Sequence, residues 1–222
     1  MVSPQHMTPS AGAESRVLGI HHVTAICGEP QRNLDFYAGL LGLRLVKRTV
    51  NFDDPQTYHF YYGDETGTPG SILTFFPWPG ARPGRVGAGQ VAVIAFATVR
   101  GAVGFWVERL LQHGVPFEDP ARGGVSDAEV DQVIRFRDHD GLMLEIVAHA
   151  GAEARPAWAG APGISSEHAL RGFHHVTLWE AQGQPTERLL QETLGFRPVG
   201  EVGGARRFAA GDGGSGRNPW RY

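Results

Sequence analysis

Gly19-Ile20-His21-His22-Val23-Thr24-Ala25 returns later in the chain as Gly172-Phe173-His174-His175-Val176-Thr177-Leu178. The offset is 174 − 21 = 153 residues. Leu41-Gly42-Leu43-Arg44 returns as Leu194-Gly195-Phe196-Arg197 at the same offset, 195 − 42 = 153. Two matches at one spacing, in one local order, mark an internal repeat.

Each copy reads as strand, helix, then further strands. Residues 17–26 predict the first strand. Leu34, Tyr37, Ala38 and Leu41 then recur at the three-and-four spacing of a helix with one apolar face. Gly42 is placed to end that helix as a left-handed cap. The β-rich runs 43–50, 57–62 and 71–78 follow, separated by Asp, Pro and Gly turns. The pattern is βαβββ, and it predicts an α+β fold. Tandem modules of this kind form curved mixed sheets, or half-barrels, with the helices packed outside.

A fainter copy lies between the two strong ones. Residues 90–98 predict a strand, and Val103, Val107, Leu110 and Leu111 a helix ended by Gly114. Residues 133–137 and 142–148 predict later strands. The repeat is therefore about 75 residues long, and the offset spans two units. The expected organisation is a flexible tail over 1–15, modules over 16–80 and 86–150, and a linker over 151–168. A third module over 169–222 reads as incomplete. No alternating apolar run follows Gly211, so its last strand is missing from the pattern, and no fourth module is present.

Composition narrows the function. Among 222 residues the hydrophobic share is 41% and the charged share 19%, which suits a folded globular chain. A net charge of −3 gives no basic field for nucleic acid or an anionic membrane. The single cysteine, Cys27, excludes an internal disulfide and a Cys-rich zinc site. No run approaches the roughly 20 apolar residues of a membrane span, and the first residues lack a signal-peptide core. A cytoplasmic protein is expected. Gly63-Asp64-Glu65-Thr66-Gly67 lacks the Gly-Lys-Ser/Thr ending of a phosphate loop and reads as a hairpin turn. No Gly-x-Ser-x-Gly elbow is present.

Several stretches carry a family resemblance. These are Gly19 to Ile26; the run Asn33-Leu34-Asp35-Phe36-Tyr37-Ala38-Gly39-Leu40-Leu41-Gly42-Leu43-Arg44-Leu45-Val46-Lys47; Asp54-Pro55-Gln56-Thr57-Tyr58-His59-Phe60-Tyr61-Tyr62-Gly63; and Pro69-Gly70-Ser71-Ile72-Leu73-Thr74-Phe75-Phe76-Pro77-Trp78. The chain resembles the hydroquinone-type ring-cleaving dioxygenases of the vicinal oxygen chelate (glyoxalase, bleomycin resistance, extradiol dioxygenase) superfamily. The resemblance implies four modules and two cavities, the first module closing against the fourth. It implies that His22 is a metal ligand, and that His21 and Thr24 are the neighbouring catalytic residues. A His and a Glu from the fourth module would complete the ligand set.

The implied cofactor is Fe(II), with Mn(II) as a substitute and O2 as co-substrate. The implied substrate is a small aromatic diol, hydroquinone or a relative, in aromatic compound catabolism; a homo-oligomer is compatible. Two imidazoles and a carboxylate on one face of Fe(II) would leave adjacent positions for substrate oxygen and dioxygen.

Comparing ligand-type positions within the chain, first strands offer His22, Val93 and His175, and last strands offer Thr74 and Glu145. Pairing the first and second units gives His22 and Glu145. Pairing the second and third gives Glu145 and His175, read as structural or vestigial. Neither reaches three ligands. Two alternatives stand beside the dioxygenase: a metal-free small-molecule binding protein on the same fold, and a glyoxalase-type isomerase. The latter expects Glu where Thr74 stands. The aromatic residues Phe75, Phe76 and Trp78 are default core, with a ring-binding cavity as their other use.

Overall fold

The computed structural model describes residues 17–120, 131–211 and 219–221. The expected tail over 1–15 lies outside them. Four strands form the first sheet: β1 (His22–Cys27), β2 (Arg44–Val50), β3 (Tyr58–Gly63) and β4 (Ile72–Pro77), in the order β1-β4-β3-β2. β1 and β4 run parallel, with Thr24 beside Thr74; β3 and β4 run antiparallel, with Tyr61 beside Thr74. The first strand is shorter than residues 17–26. It starts at His22, after Gly19 turns the chain at a φ of 153°.

Between β1 and β2 runs α1 (Pro30–Leu34), with Pro30 opening it, where a missing N–H costs nothing. It continues as a π-helical turn over Asp35–Leu40, in which the Leu41 N–H donates to the Phe36 carbonyl five residues back. Gly42 then takes a φ of 70°, the left-handed cap anticipated from sequence. Phe36, Tyr37, Leu40 and Leu41 all lie in the core.

The second sheet has eight strands, in the order β10-β11-β12-β9-β5-β8-β7-β6. One half holds β5 (Gln90–Thr98), β6 (Phe117–Glu118), β7 (Gln132–Arg137) and β8 (Met143–Ala148), with α2 (Val103–Gln112) between β5 and β6. The other half holds β9 (Phe173–Trp179), β10 (Arg197–Val202), β11 (Ala205–Ala209) and β12 (Pro219–Arg221). Between β9 and β10 lie α3 (Gly183–Arg188) and a π-helical turn over Leu189–Thr193. The halves join through their first strands, β5 and β9, which pair antiparallel.

The architecture is mixed α+β, with few helices and no closed barrel among the described residues. No described helix is long and apolar enough to cross a membrane.

Two stretches hold more regular structure than their residue patterns suggest. The pattern after Gly211 showed no strand, yet Pro219–Arg221 pairs parallel to β9 and antiparallel to β11. Backbone hydrogen bonding to two neighbours holds three residues there without an alternating apolar run. The Ala-, Gly- and Pro-rich stretch read as a linker is packed: it holds a 3-10 turn over Ala150–Ala154, and Ala152 and Ile164 are buried. Small residues in that stretch let the chain lie close against the core.

The main core lies between the helix side of the first sheet and that of the β5–β8 half. Tyr37, Tyr62 and Phe75 pack with Phe36 against Phe136, and Trp106 and Leu110 of α2 join them. Two polar bonds cross this oil. Tyr37 Oη donates to Asp138 Oδ2 at 2.8 Å, and Tyr62 Oη donates to Asn33 Oδ1 at 2.8 Å. All four residues are buried, so each hydroxyl finds its acceptor, as a buried polar group must.

Candidate functional site on the open face of the first sheet

Strand alternation sorts the residues of the first sheet. Val23, Ala25 and Cys27 face the core, whereas His22, Thr24 and Ile26 are exposed. Register carries that second set across the sheet. Thr74 and Phe76 of β4, and Tyr61 and His59 of β3, stand on the same face as Thr24 and Ile26. One face of the first sheet is therefore a row of polar and aromatic side chains.

His22 stands on that face with its ring edge-on to His21, the centroids 5.2 Å apart. Their Nδ1 atoms are 3.1 Å apart. One proton must lie between two nitrogens at that separation. With the proton on His22 Nδ1, its Nε2 carries a lone pair. Thr24 Oγ1 and Thr74 Oγ1 share a hydrogen bond of 2.9 Å.

The structure thus brings His21, His22 and Thr24 together at one end of the sheet. The resemblance implies that His22 faces a cavity which a fourth module completes; among the described residues the imidazole is exposed. His21, but not His22, lines a cleft of about 640 Å³ between the start of β1 and the stretch around Arg155, Arg171 and Gly172. Among the described residues no group of three or more His, Cys, Asp or Glu side chains is placed to hold a metal.

Further along the same face, Tyr61 Oη and His59 Nδ1 are 2.9 Å apart. His59 stacks on Phe76 with centroids 4.0 Å apart, and Lys47 Nζ lies 5.4 Å over the Tyr61 ring. Burial lowers the tendency of His59 to take a proton, and the nearby His22 and Lys47 add to this. Sequence reading passed over this pair. Its signal was present: His59 and Tyr61 share one parity on a strand whose neighbours were already assigned. Of the three aromatic candidates, Phe75 is core, Trp78 is 42% exposed, and Phe76 alone faces the His22 side.

The other histidine pair is held differently. β5 places Ala95 between Glu145 on β8 and His175 on β9, and small Ala95 lets the flanking side chains meet over it. His175 Nε2 is 3.3 Å from Glu145 Oε2, and Arg135 Nε donates to Glu145 Oε1 at 2.7 Å. Burial alone would raise the Glu145 carboxyl, but the His175 and Arg135 contacts outweigh it and hold the group down at about 2. The two carboxylate oxygens are thus engaged separately, one by His175 and the other by Arg135. His174 Nδ1 lies 2.7 Å from His175 Nδ1, and the His149 ring lies 4.7 Å from that of His174. Cys27, also buried, has its thiol pushed up to about 12 by burial and by Asp140 and Asp138. It is no nucleophile.

Residues 19–146 match the sequence profile of the glyoxalase/bleomycin resistance protein/dioxygenase superfamily. The chain belongs to that superfamily. Within it, the chain is 47% identical over 198 residues to a Bacillus subtilis (strain 168) protein named "Putative ring-cleaving dioxygenase MhqO", covering 89% of this chain and 61% of that protein. It is 31% identical over 203 residues to the chlorohydroquinone/hydroquinone 1,2-dioxygenase of Sphingobium indicum (strain DSM 16413 / CCM 7287 / MTCC 6362 / UT26 / NBRC 101211 / UT26S), covering 90% and 61%. The chain therefore spans about three-fifths of the length of these relatives.

A crystal structure of a "putative dioxygenase" from Bacillus subtilis subsp. subtilis str. 168 superposes with a TM-score of 0.83 at 42% identity, covering 93% of this chain and 63% of that one. Maize glyoxalase I shares the superfamily fold, with a TM-score of 0.65 at 15% identity over 92% of this chain and 67% of that one.

Proposed function

We propose that this chain is part of a ring-cleaving dioxygenase acting on hydroquinone or a related aromatic diol. The carrying observation is His22, exposed on the sheet face it shares with Thr24 and Tyr61, in a chain 31% identical to a hydroquinone 1,2-dioxygenase. The metal would be Fe(II), with Mn(II) as a substitute. The donor set fits in part: the His22 ring, with Nδ1 engaged by His21, offers Nε2, and the remaining ligands come from residues other than those described. When bound, the metal would supply adjacent coordination positions for a substrate oxygen and for O2.

The chain's own residues do the rest. His21 fixes the tautomer and plane of the His22 ring through the Nδ1 contact, as partners of ligating histidines do. With its Nδ1 accepting from His22, the neutral His21 ring carries its own proton on Nε2, which donates a hydrogen bond to a substrate oxygen and can pass that proton on at ring opening. The Thr24 hydroxyl, held by Thr74, presents a hydrogen bond to a bound oxygen.

Thr74 at the last-strand position bonds Thr24 and offers no carboxylate, which speaks against glyoxalase-type isomerisation. The test is oxygen uptake by the full-length protein with Fe(II) bound, on hydroquinone and on catechol, compared with its His22→Ala variant. Uptake coupled to a ring-opened product and lost in the variant is expected. No His22-dependent uptake with either diol would overturn the reading.

A further inference from the structure

We infer that Tyr61 is a hydrogen-bond donor for the ring oxygen of the substrate remote from His22, with its hydroxyl aimed by His59. The inference rests on the dioxygenase reading for where the ring lies, and it names a contact that reading does not need.

Placement comes first. His22, Thr24, Thr74 and Tyr61 share one face through the registered pairs Thr24 with Thr74 and Thr74 with Tyr61. Tyr61 is two strands from β1. At a neighbour spacing of about 4.8 Å, Tyr61 lies about 10 Å across the sheet from Thr24, and His22, two residues away along β1, lies about 12 Å from it on the diagonal. A ring held by one oxygen at His22 therefore extends over Thr24 and Thr74 towards the Tyr61 phenol. Tyr61 is half-buried there, and no apolar side chain intervenes in its row.

Proton positions follow from burial. His59 Nε2 is buried and has no hydrogen-bond partner among the described residues. A buried N–H without an acceptor costs more than a lone pair without a donor. The proton of the neutral ring therefore sits on Nδ1, the atom 2.9 Å from Tyr61 Oη. His59 donates and Tyr61 accepts. The phenol's own O–H is then left to point away from His59, over the open face. Phe76, stacked on His59, and Lys47, over the Tyr61 ring, hold both rings in place. The result is an outward-directed donor on the floor of the site, suited to a phenolic or carbonyl oxygen.

A diol with an oxygen at each end of the ring satisfies both ends of this face, and a monophenol satisfies one. The experiment measures, without metal and without oxygen, the affinities of the full chain for hydroquinone and for phenol by ligand-observed NMR. Wild type is expected to favour hydroquinone by roughly fivefold to tenfold, the size of one neutral hydrogen bond. Tyr61→Phe brings the ratio close to one by weakening hydroquinone alone. His59→Phe, which frees the Tyr61 hydroxyl to turn, lowers the ratio by about half, and His59→Gln, which keeps an N–H donor, restores it. General damage to the fold lowers both affinities and leaves the ratio intact.

A wild-type ratio of one, an unchanged ratio in Tyr61→Phe, or no detectable binding of hydroquinone overturns the assignment of Tyr61. Oxygen uptake is scored separately: its absence with an intact ratio removes the dioxygenase reading and leaves Tyr61 as a ligand contact.

Discussion

Glu145 and His175 meet across β5, Oε2 to Nε2 at 3.3 Å, with the Arg135 guanidinium closing the carboxylate's other side at 2.7 Å. The arrangement sets a strand-borne His beside a strand-borne carboxylate and gives that carboxylate's second oxygen a fixed positive charge. The contact ties the second unit to the third.

That tie makes stability depend on acid in a defined direction. The folded Glu145 carboxyl lies at about 2, against an ordinary 4.5. Its contribution is complete above about pH 5 and is lost as pH falls towards 2. A depression of that size corresponds to on the order of 3 kcal/mol at neutral pH. In urea melts across pH 7 to 2, Glu145→Gln should be less stable at pH 7 and should show a flatter decline below pH 5. Parallel curves for the two proteins would contradict the tie.

Tyr37 and Asp138 hold the first unit to the second. Their 2.8 Å bond is buried, and the second Asp138 oxygen accepts the Asp140 and Leu142 N–H groups in the turn before β8. Tyr37→Phe removes the donor and leaves a buried carboxylate oxygen short of a partner, at a cost of about 1–3 kcal/mol. A double-mutant cycle with Asp138→Asn should show a coupling of about 1 kcal/mol or more. Additive losses in equilibrium unfolding would show that the two side chains act independently.

Much of this was legible in the residues. The repeated Gly-x-His-His-Val-Thr motif fixed the first strands, and Gly42 and Gly114 marked helix ends that both take left-handed φ, 70° and 66°. Such local features need only the chain's own neighbours. What escaped depended on contacts between distant segments. One local feature escaped too: the buried set Asn33, Phe36, Tyr37, Leu40 and Leu41 keeps a helical spacing but starts one residue before the Leu34 register, because its first member is a polar residue that gives no apolar signal. Arg135 at Glu145 became visible only through the register of β7 and β8. β12 is held by two neighbouring strands and has no hydrophobic pattern of its own.

Cys27 tests how closed the main core is. The side chain is 2% exposed, and its thiol is pushed up to about 12. At pH 8 only about one molecule in ten thousand carries the thiolate. Labelling by a disulfide reagent should proceed at the unfolding rate in buffer and at once in denaturant. Labelling of native protein within seconds would show that α1 and the first sheet separate readily.

Gly172 sits where the two sheets touch. It takes a φ of 76°, and a Cβ built there would lie 2.8 Å from the Gly70 carbonyl oxygen. The backbone has no room to retreat: the Phe173 N–H donates to that same oxygen at 2.7 Å, and the Gly172 carbonyl accepts from the Ala97 N–H at 2.9 Å. Gly172→Ala therefore combines a left-handed penalty with a clash against fixed backbone, and should cost about 2–3 kcal/mol. Gly204→Ala is the control. Its φ is 80°, but nothing lies within 4 Å of its added Cβ, so only the conformational cost of about 1 kcal/mol remains. Denaturant melts of the two variants separate the terms. Equal losses would mean that the first sheet does not press against β9 at Gly70, and that the contact fixing the two sheets lies elsewhere.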